Sequence, residues 1–138
     1  MKKIKYIILY LWQIIQNLIG IILVKTYKPQ RVHILNNGVK VYYSHKITGG
    51  ISLGNYCIVN TGHYRLDIEK SLKRDTVRHE AIGHTKQSRI LGPLYLFVIV
   101  IPSLIWAGLY GPIVKPTKNG YYKFYTEKWA DTIAGVKR

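Results

Sequence analysis

Residues 77 to 88 read VRHEAIGHTKQS, and within them His79, Glu80 and His84 are the residue types of a hydrolytic metal site. Two imidazoles on one helix face can hold a divalent ion, while a glutamate beside them takes a proton from a water that the ion acidifies. In the common H-E-x-x-H arrangement the histidines are four residues apart. Here they are five apart. Five residues of an ideal α-helix turn through about 500°, leaving the rings about 140° apart and unable to share an ion. One π-type widening, to roughly four and a half residues per turn, returns them to the same side, and such bulges concentrate at functional sites. Gly83, just before His84, is expected to ease the distortion. An unwidened helix offers a different pairing, since Glu80 and His84 are four apart and would chelate with His79 left outside.

Together with a segment near the C-terminus, this motif resembles the dipeptidyl peptidase III family of zinc peptidases. His79, Glu80, Gly83 and His84 match that family's HExxGH helix. Thr126-Glu127-Lys128-Trp129-Ala130-Asp131 matches its later E-E-x-x-A-[ED] pattern at the ligand glutamate, the alanine and the final acid, and departs at Thr126. The resemblance is confined to these two short motifs. It implies a gluzincin-type set with His79, His84 and Glu127 on Zn2+ and Glu80 as general base. Neither the whole architecture nor the exopeptidase specificity carries over to a chain of 138 residues.

Chemistry alone leads to the same residues. A catalytic zinc site needs three protein ligands and one open position, and two histidines with a glutamate are an established set. Glu80 beside the ion is then the base. Asp131, one turn past Glu127, is placed to accept the outer N–H of a ligating imidazole and fix its tautomer. A tetrahedral intermediate needs an oxyanion donor, and Tyr121, Tyr122, Tyr125 and His63 are the candidates. As ligands, His33, His45 and His63 lack any suitable spacing and read as surface or strand residues.

These side chains must be positioned by a small set of elements. Asp75 is expected to cap a helix that runs through the motif to Leu91 and stops at Gly92-Pro93. A C-terminal helix is expected over residues 121–134, with Gly135 as terminator, so that Glu127 and Asp131 share one face. RVHIL and VKVYYSH, joined by Asn36-Asn37-Gly38, read as a hairpin, and ISLGNYCIVN reads as a third strand of a small antiparallel sheet. The glycines at 49, 50 and 54 let another backbone approach that strand, so it is either an edge that could pair with an extended substrate or, as such glycines more often are, a strand carrying bulges.

Two apolar stretches remain, YIILYLWQIIQNLIGIILV near the N-terminus and LYLFVIVIPSLIWAGLY after the motif, the second interrupted by Pro102. Each approaches the length of a bilayer-crossing helix. Gln13, Gln16 and Asn17 share one face of the first, which favours a helix lying on a membrane or docked on protein over a spanning one. The sequence VKTYKPQR after it does not resemble a signal-peptide cleavage site.

The expected class is therefore α+β, a single metallopeptidase-like domain over residues 1–138. Within it, a small antiparallel sheet packs with a metal-site helix and a C-terminal helix, and residues 1–25 form an apolar helix that anchors in a membrane or docks on protein. Its 21 Lys and Arg against 6 Asp and Glu give a formal charge of +15, which calls for anionic partners. Cys57 is the only cysteine, so no internal disulfide forms. The expected function is zinc-dependent hydrolysis of a peptide or protein substrate, at an anionic membrane surface (peripheral or anchored) or otherwise in the cytoplasm. The alternative is a non-enzymatic basic protein that binds nucleic acid or anionic membrane through Lys, Arg and 12 Tyr. Nucleic acid is the less favoured partner, because the basic residues are spread along the chain rather than clustered.

Overall fold

The computed structural model describes residues 1–112 and 120–138. It is an α+β fold in which a four-stranded sheet backs the helical segment that carries the motif. Strand β1 (Arg31–Ile34) turns into β2 (Lys40–Ser44) through Asn36-Asn37-Gly38, as the Asn-Gly signal predicts. Gly38 adopts φ +87°, where an L side chain is strained, and the Leu35 N–H closes the turn on the Val39 carbonyl at 2.8 Å.

The predicted third strand is two strands, β3 (Gly50–Leu53) and β4 (Tyr56–Asn60), folded back at Gly54-Asn55 with Gly54 at φ +63°. The order is β1-β2-β4-β3, and β4 pairs parallel with β2, so the sheet is mixed rather than antiparallel. After β2 the chain crosses to the far edge before the β3–β4 hairpin returns between them. Asn60 fastens that crossing, its Nδ2 donating to the Ile47 carbonyl at 2.6 Å and its N–H to the Gly49 carbonyl at 3.1 Å. β3 lies at an edge, one of the two placements that the glycines allowed.

One face of the sheet buries Val41, Tyr43, Cys57 and Val59 against Val77 and Ala81, two residues four apart and hence on one side of a helix. That helix is a composite of α4 (Asp75–Arg78), a π-helical stretch His79–His84 and α5 (Thr85–Leu91), preceded by the short α3 (Ile68–Leu72). Asp75 does not cap it. Arg74 takes the extended cap conformation and Asp75 falls in the first turn, where a carboxylate still complements the helix dipole. The end falls at Gly92 (φ +54°) as predicted, and a Cβ there would collide with the Trp12 ring.

Helices α1 (Lys2–Trp12) and α2 (Ile14–Tyr27) meet at 81°. At the elbow Gln13, Gln16 and Asn17 are fully buried. Ser88 Oγ donates to Gln13 Oε1, Gln16 Nε2 donates to the Gly92 carbonyl, and the Asn55 N–H donates to Asn17 Oδ1. The polar face is thus docked on protein, and Ile7, Ile8, Leu11, Ile15, Leu18 and Ile22 look outward. Among the described residues no single helix is long and apolar enough to cross a membrane.

A second bent pair, Asp75–Leu94 with Leu96–Leu109, turns through 117°. Its second arm is a π-helical stretch Leu96–Val100 followed by α6 (Ile101–Leu109). Pro102 was the expected break, but it lies within the continuous helical run Leu96–Leu109, next to a π-helical stretch, and the Val98 carbonyl four residues before it accepts from the Tyr125 hydroxyl instead. The bend comes at Tyr95 instead. Last is α7 (Tyr125–Ala134), which begins four residues later than predicted because Gly120–Lys123 form a 3-10 turn; Gly135 ends it at φ +68°.

Candidate metal centre

The π-helical stretch spans His79–His84, so the widening that the histidine spacing demands is present where it is needed. The two imidazole rings stand perpendicular (89°) with centroids 4.6 Å apart. His79, Glu80 and His84 are all buried, each offers a ligand atom within 4.8 Å of the others, and together they can hold a metal ion.

Gly83 has another role than the one its position predicts. It lies in the helix without an unusual φ, and a Cβ built there would sit 2.4 Å from the Ala130 carbonyl oxygen. The missing side chain lets α7 approach the motif backbone to backbone, and that approach brings Glu127 and Asp131 to the histidines. Gly83→Ala is therefore expected to lower the unfolding free energy by about 1–3 kcal/mol, as overpacking does. Metal affinity should weaken with it, since α7 must retreat; thermal melts with and without zinc measure both.

Each histidine is oriented from outside. His79 Nδ1 lies 2.7 Å from Asp131 Oδ1, which Arg138 holds in turn through Nε to Oδ2 at 2.8 Å and Nη2 to Oδ1 at 3.2 Å. His84 Nδ1 lies 2.7 Å from Gln87 Oε1, and the Gln87 amide is set by Nε2 donating to the Thr126 carbonyl at 2.9 Å. Both Nδ1 atoms must therefore donate. Both Nε2 atoms are left facing inward, as a metal requires of its imidazoles.

They converge on one oxygen. Glu127 Oε2 is 2.8 Å from His79 Nε2 and 3.3 Å from His84 Nε2. Zinc bonds of about 2.0–2.1 Å in tetrahedral geometry separate donor atoms by about 3.3 Å, so one separation already fits and the other is half an ångström short. Thr126, the one departure from the family pattern, is buried and donates to Glu127 Oε1 at 3.3 Å while accepting from Ser103 Oγ at 2.8 Å. It ties the carboxylate to α6.

Charge follows the same geometry. Burial alone would drive His79 neutral, but its hydrogen bonds to Asp131 and Glu127 outweigh it and hold the pKa up at about 10. Burial likewise opposes the charged form of His84, and the nearby carboxylates of Glu80 and Glu127 raise it nonetheless. Glu127, though buried, is held well below the usual carboxylate range by both histidines. Each imidazolium proton that a divalent ion displaces offsets one unit of its charge, so the exchange limits the change in charge of the buried site.

This linkage sets a pH dependence. In the metal-free protein the stability due to His79 is complete below its unfolded pKa of 6.5 and is lost as pH rises through about 10. Metal must displace these protons, so affinity should rise with pH, by about one decade per pH unit for each proton released. Calorimetric titration with zinc between pH 6.5 and 9 is expected to give a slope between one and two protons; a flat profile would contradict the assignment.

The Glu80 carboxylate lies beside β3, its Oε2 2.7 Å from Ser52 Oγ. A side chain at Gly50 would run into it, with a Cβ 2.6 Å from Glu80 Cγ, so the glycine at the edge keeps room for the base. Glu80, His79, His84 and Glu127 open into a cavity of about 370 Å³, walled by Gly49 to Ser52 on one side and by Ile99, Val100 and Leu104 on the other. Tyr121 and Tyr122 also line it. Burial raises the pKa of both phenols, with the neighbouring carboxylates adding to it and Arg138 opposing it only in part at Tyr122, so each keeps its proton to donate.

The other two donor candidates do not reach the cavity. Tyr125, two residues from Glu127 and so on another face of α7, is half-exposed and donates to the Val98 carbonyl. His63 lies in the turn Thr61–His63 and accepts from Arg74 Nε at 3.4 Å. His33 is on β1 against Tyr43, as read. Ser52, Gln87, Thr126 and Arg138 were not foreseen. Of these only Gln87 had a local signal, lying three residues past His84 on the same helix face.

Comparison of the chain with protein-family models, with curated proteins and with solved structures finds no match, so the site stands on its own geometry.

Proposed function

We propose that the protein is a zinc-dependent peptidase of gluzincin type, with His79, His84 and Glu127 as ligands and Glu80 as general base. The observation that carries this reading is the convergence of both Nε2 atoms on Glu127 Oε2, at 2.8 and 3.3 Å, with each outer nitrogen already satisfied. Zinc bound there supplies a Lewis acid and an acidified water. Glu80, at the cavity wall and beside the site, takes the proton of the attacking water and delivers it to the leaving amine. Tyr121 or Tyr122 donates to the oxyanion.

A peptide substrate is supported by the sheet edge. Gly49 bonds back to β4 through Asn60, so the alternation of strand backbone turns the peptide groups of Gly50 and Ser52 toward the open edge. The Ser52 carbonyl is met there by the Tyr95 hydroxyl at 3.0 Å. Gly50 is left to pair with an extended substrate lying across the cavity above Glu80. The alternative of a purely basic binding protein accounts for the +15 charge but gives no role to a buried cluster of two histidines and three carboxylates.

The test is hydrolysis of unstructured peptides, read by mass spectrometry, beside elemental analysis of the same preparation. About one equivalent of zinc with chelator-sensitive cleavage is expected. Stoichiometric zinc without cleavage of any peptide would overturn the peptidase reading and leave only the metal site.

A further inference from the structure

The burial of the two bent helix pairs is inverted relative to that of a water-soluble protein. At the α1–α2 elbow the amides of Gln13, Gln16 and Asn17 are 0% exposed, while Ile7, Ile8, Leu11 and Leu18 are 54–60% exposed. On the second pair Phe97 is 68% exposed, and Leu104 and Ile105 are 58% and 57% exposed. The elbows touch, through Gln16 on the Gly92 carbonyl and Trp12 against Gly92, so the two pairs that carry these apolar faces are packed on one another. Lys2, Lys3 and Lys5 at the start of α1, and Lys25 and Lys28 at the end of α2, are all exposed and flank this region with positive charge. Apolar surface of this extent bordered by lysines matches an anionic bilayer interface, and among the described residues no single helix is long and apolar enough to cross it.

The cavity belongs to the same surface. Its far wall is the α6 arm, where Ile99, Val100 and Leu104 line the space over the metal site, and Leu104 is also part of the exposed apolar face. One turn of helix therefore separates the site from the surface we assign to lipid. A polypeptide entering between β3 and α6 meets apolar side chains first, then the Gly50 edge, then Glu80.

We propose that the protein lies in the plane of an anionic membrane and draws its substrate laterally from it, the substrate class being membrane-embedded or membrane-adjacent apolar segments of other polypeptides. This rests on the peptidase reading and specifies where its substrate comes from.

The experiment compares the zinc-loaded full chain with a Phe97→Asp/Ile105→Asp variant, whose changed residues lie outside the cavity lining and the metal site. Three readouts are taken: flotation with phosphatidylglycerol-containing vesicles, cleavage of a fluorescent single-span test polypeptide reconstituted in them, and cleavage of a short water-soluble peptide. The parent should float and should cleave the embedded polypeptide about tenfold or more faster than the soluble peptide, because confinement to one surface raises effective concentration. The variant should lose flotation and this preference while keeping one zinc and its cleavage of the soluble peptide. A parent that cleaves the soluble peptide but neither floats nor prefers the embedded one overturns the proposal and leaves the peptidase reading standing. Failure of the parent on both substrates overturns both. Self-association of the parent without lipid binding, abolished in the variant, assigns the apolar face to a second copy and likewise overturns the proposal.

Discussion

On the proposed ligand set, replacing Glu127 by alanine is expected to abolish tight zinc binding while leaving the fold. Among the described residues the carboxylate is the only group to which both Nε2 atoms hydrogen-bond, at 2.8 and 3.3 Å, and it approaches from α7, far in sequence from the histidines. Its removal leaves two imidazoles facing one another, whose positive forms then repel at 4.6 Å between rings. If one ligand contributes about a quarter of the roughly 10–16 kcal/mol typical of protein zinc sites, the loss is on the order of 3–4 kcal/mol. That corresponds to roughly a hundred- to a thousandfold in affinity. Calorimetric titration measures it directly. Affinity within a few-fold of the parent would mean that Glu127 is only a hydrogen-bond acceptor and that the ion, if any, is held by His79, Glu80 and His84.

Glu80→Gln should have the opposite profile. The amide keeps the shape and can still meet Ser52 Oγ, 2.7 Å from the present carboxylate, so zinc stoichiometry and thermal stability should hold. What it lacks is the ability to accept the proton of the attacking water. Turnover should fall about 10²–10⁴-fold with little change in KM, the usual contribution of a positioned base. This substitution also separates the two ligand schemes that the sequence allows. If Glu80 and His84 were the chelating pair, zinc would be lost together with activity. The geometry argues against that, because the π-helical stretch turns His79 inward beside His84.

The site was more legible in the sequence than the sheet. A five-residue spacing let a regular helix chelate only through Glu80 and His84, whereas an ion shared by both imidazoles required a widened turn, and the structure has that turn over His79–His84. The Glu127–Asp131 spacing likewise put a candidate ligand and an imidazole acceptor on one face, and the structure puts Asp131 2.7 Å from His79. The role of Gly83 could not be read, because it depends on which backbone packs against it, and nothing near Gly83 in the chain announces Ala130. Ser52 and Arg138 were hidden for the same reason.

For the sheet, Gly54-Asn55 was compatible with a bulge in one strand or a turn between two. Local residues do not choose between them. The choice is made by Asn17 on α2, whose side chain accepts from the Asn55 N–H at 2.8 Å and pins the turn. The parallel β2–β4 pairing follows from that hairpin and from the crossing at residues 45–49, neither of which has a local signature. In the apolar segments, the polar face of Gln13, Gln16 and Asn17 left a membrane surface and a protein surface both open, and only the fold shows that this face meets Ser88, Gly92 and Asn55.

The most direct test of the account is an anomalous difference map at the zinc edge, from crystals of the full chain grown with zinc. A single strong peak is expected about 2.0–2.2 Å from His79 Nε2, His84 Nε2 and a Glu127 oxygen, with the Glu80 carboxylate nearby but outside bonding distance. No peak between these side chains, or a peak bonded to Glu80 and His84 with Glu127 turned away, would contradict it.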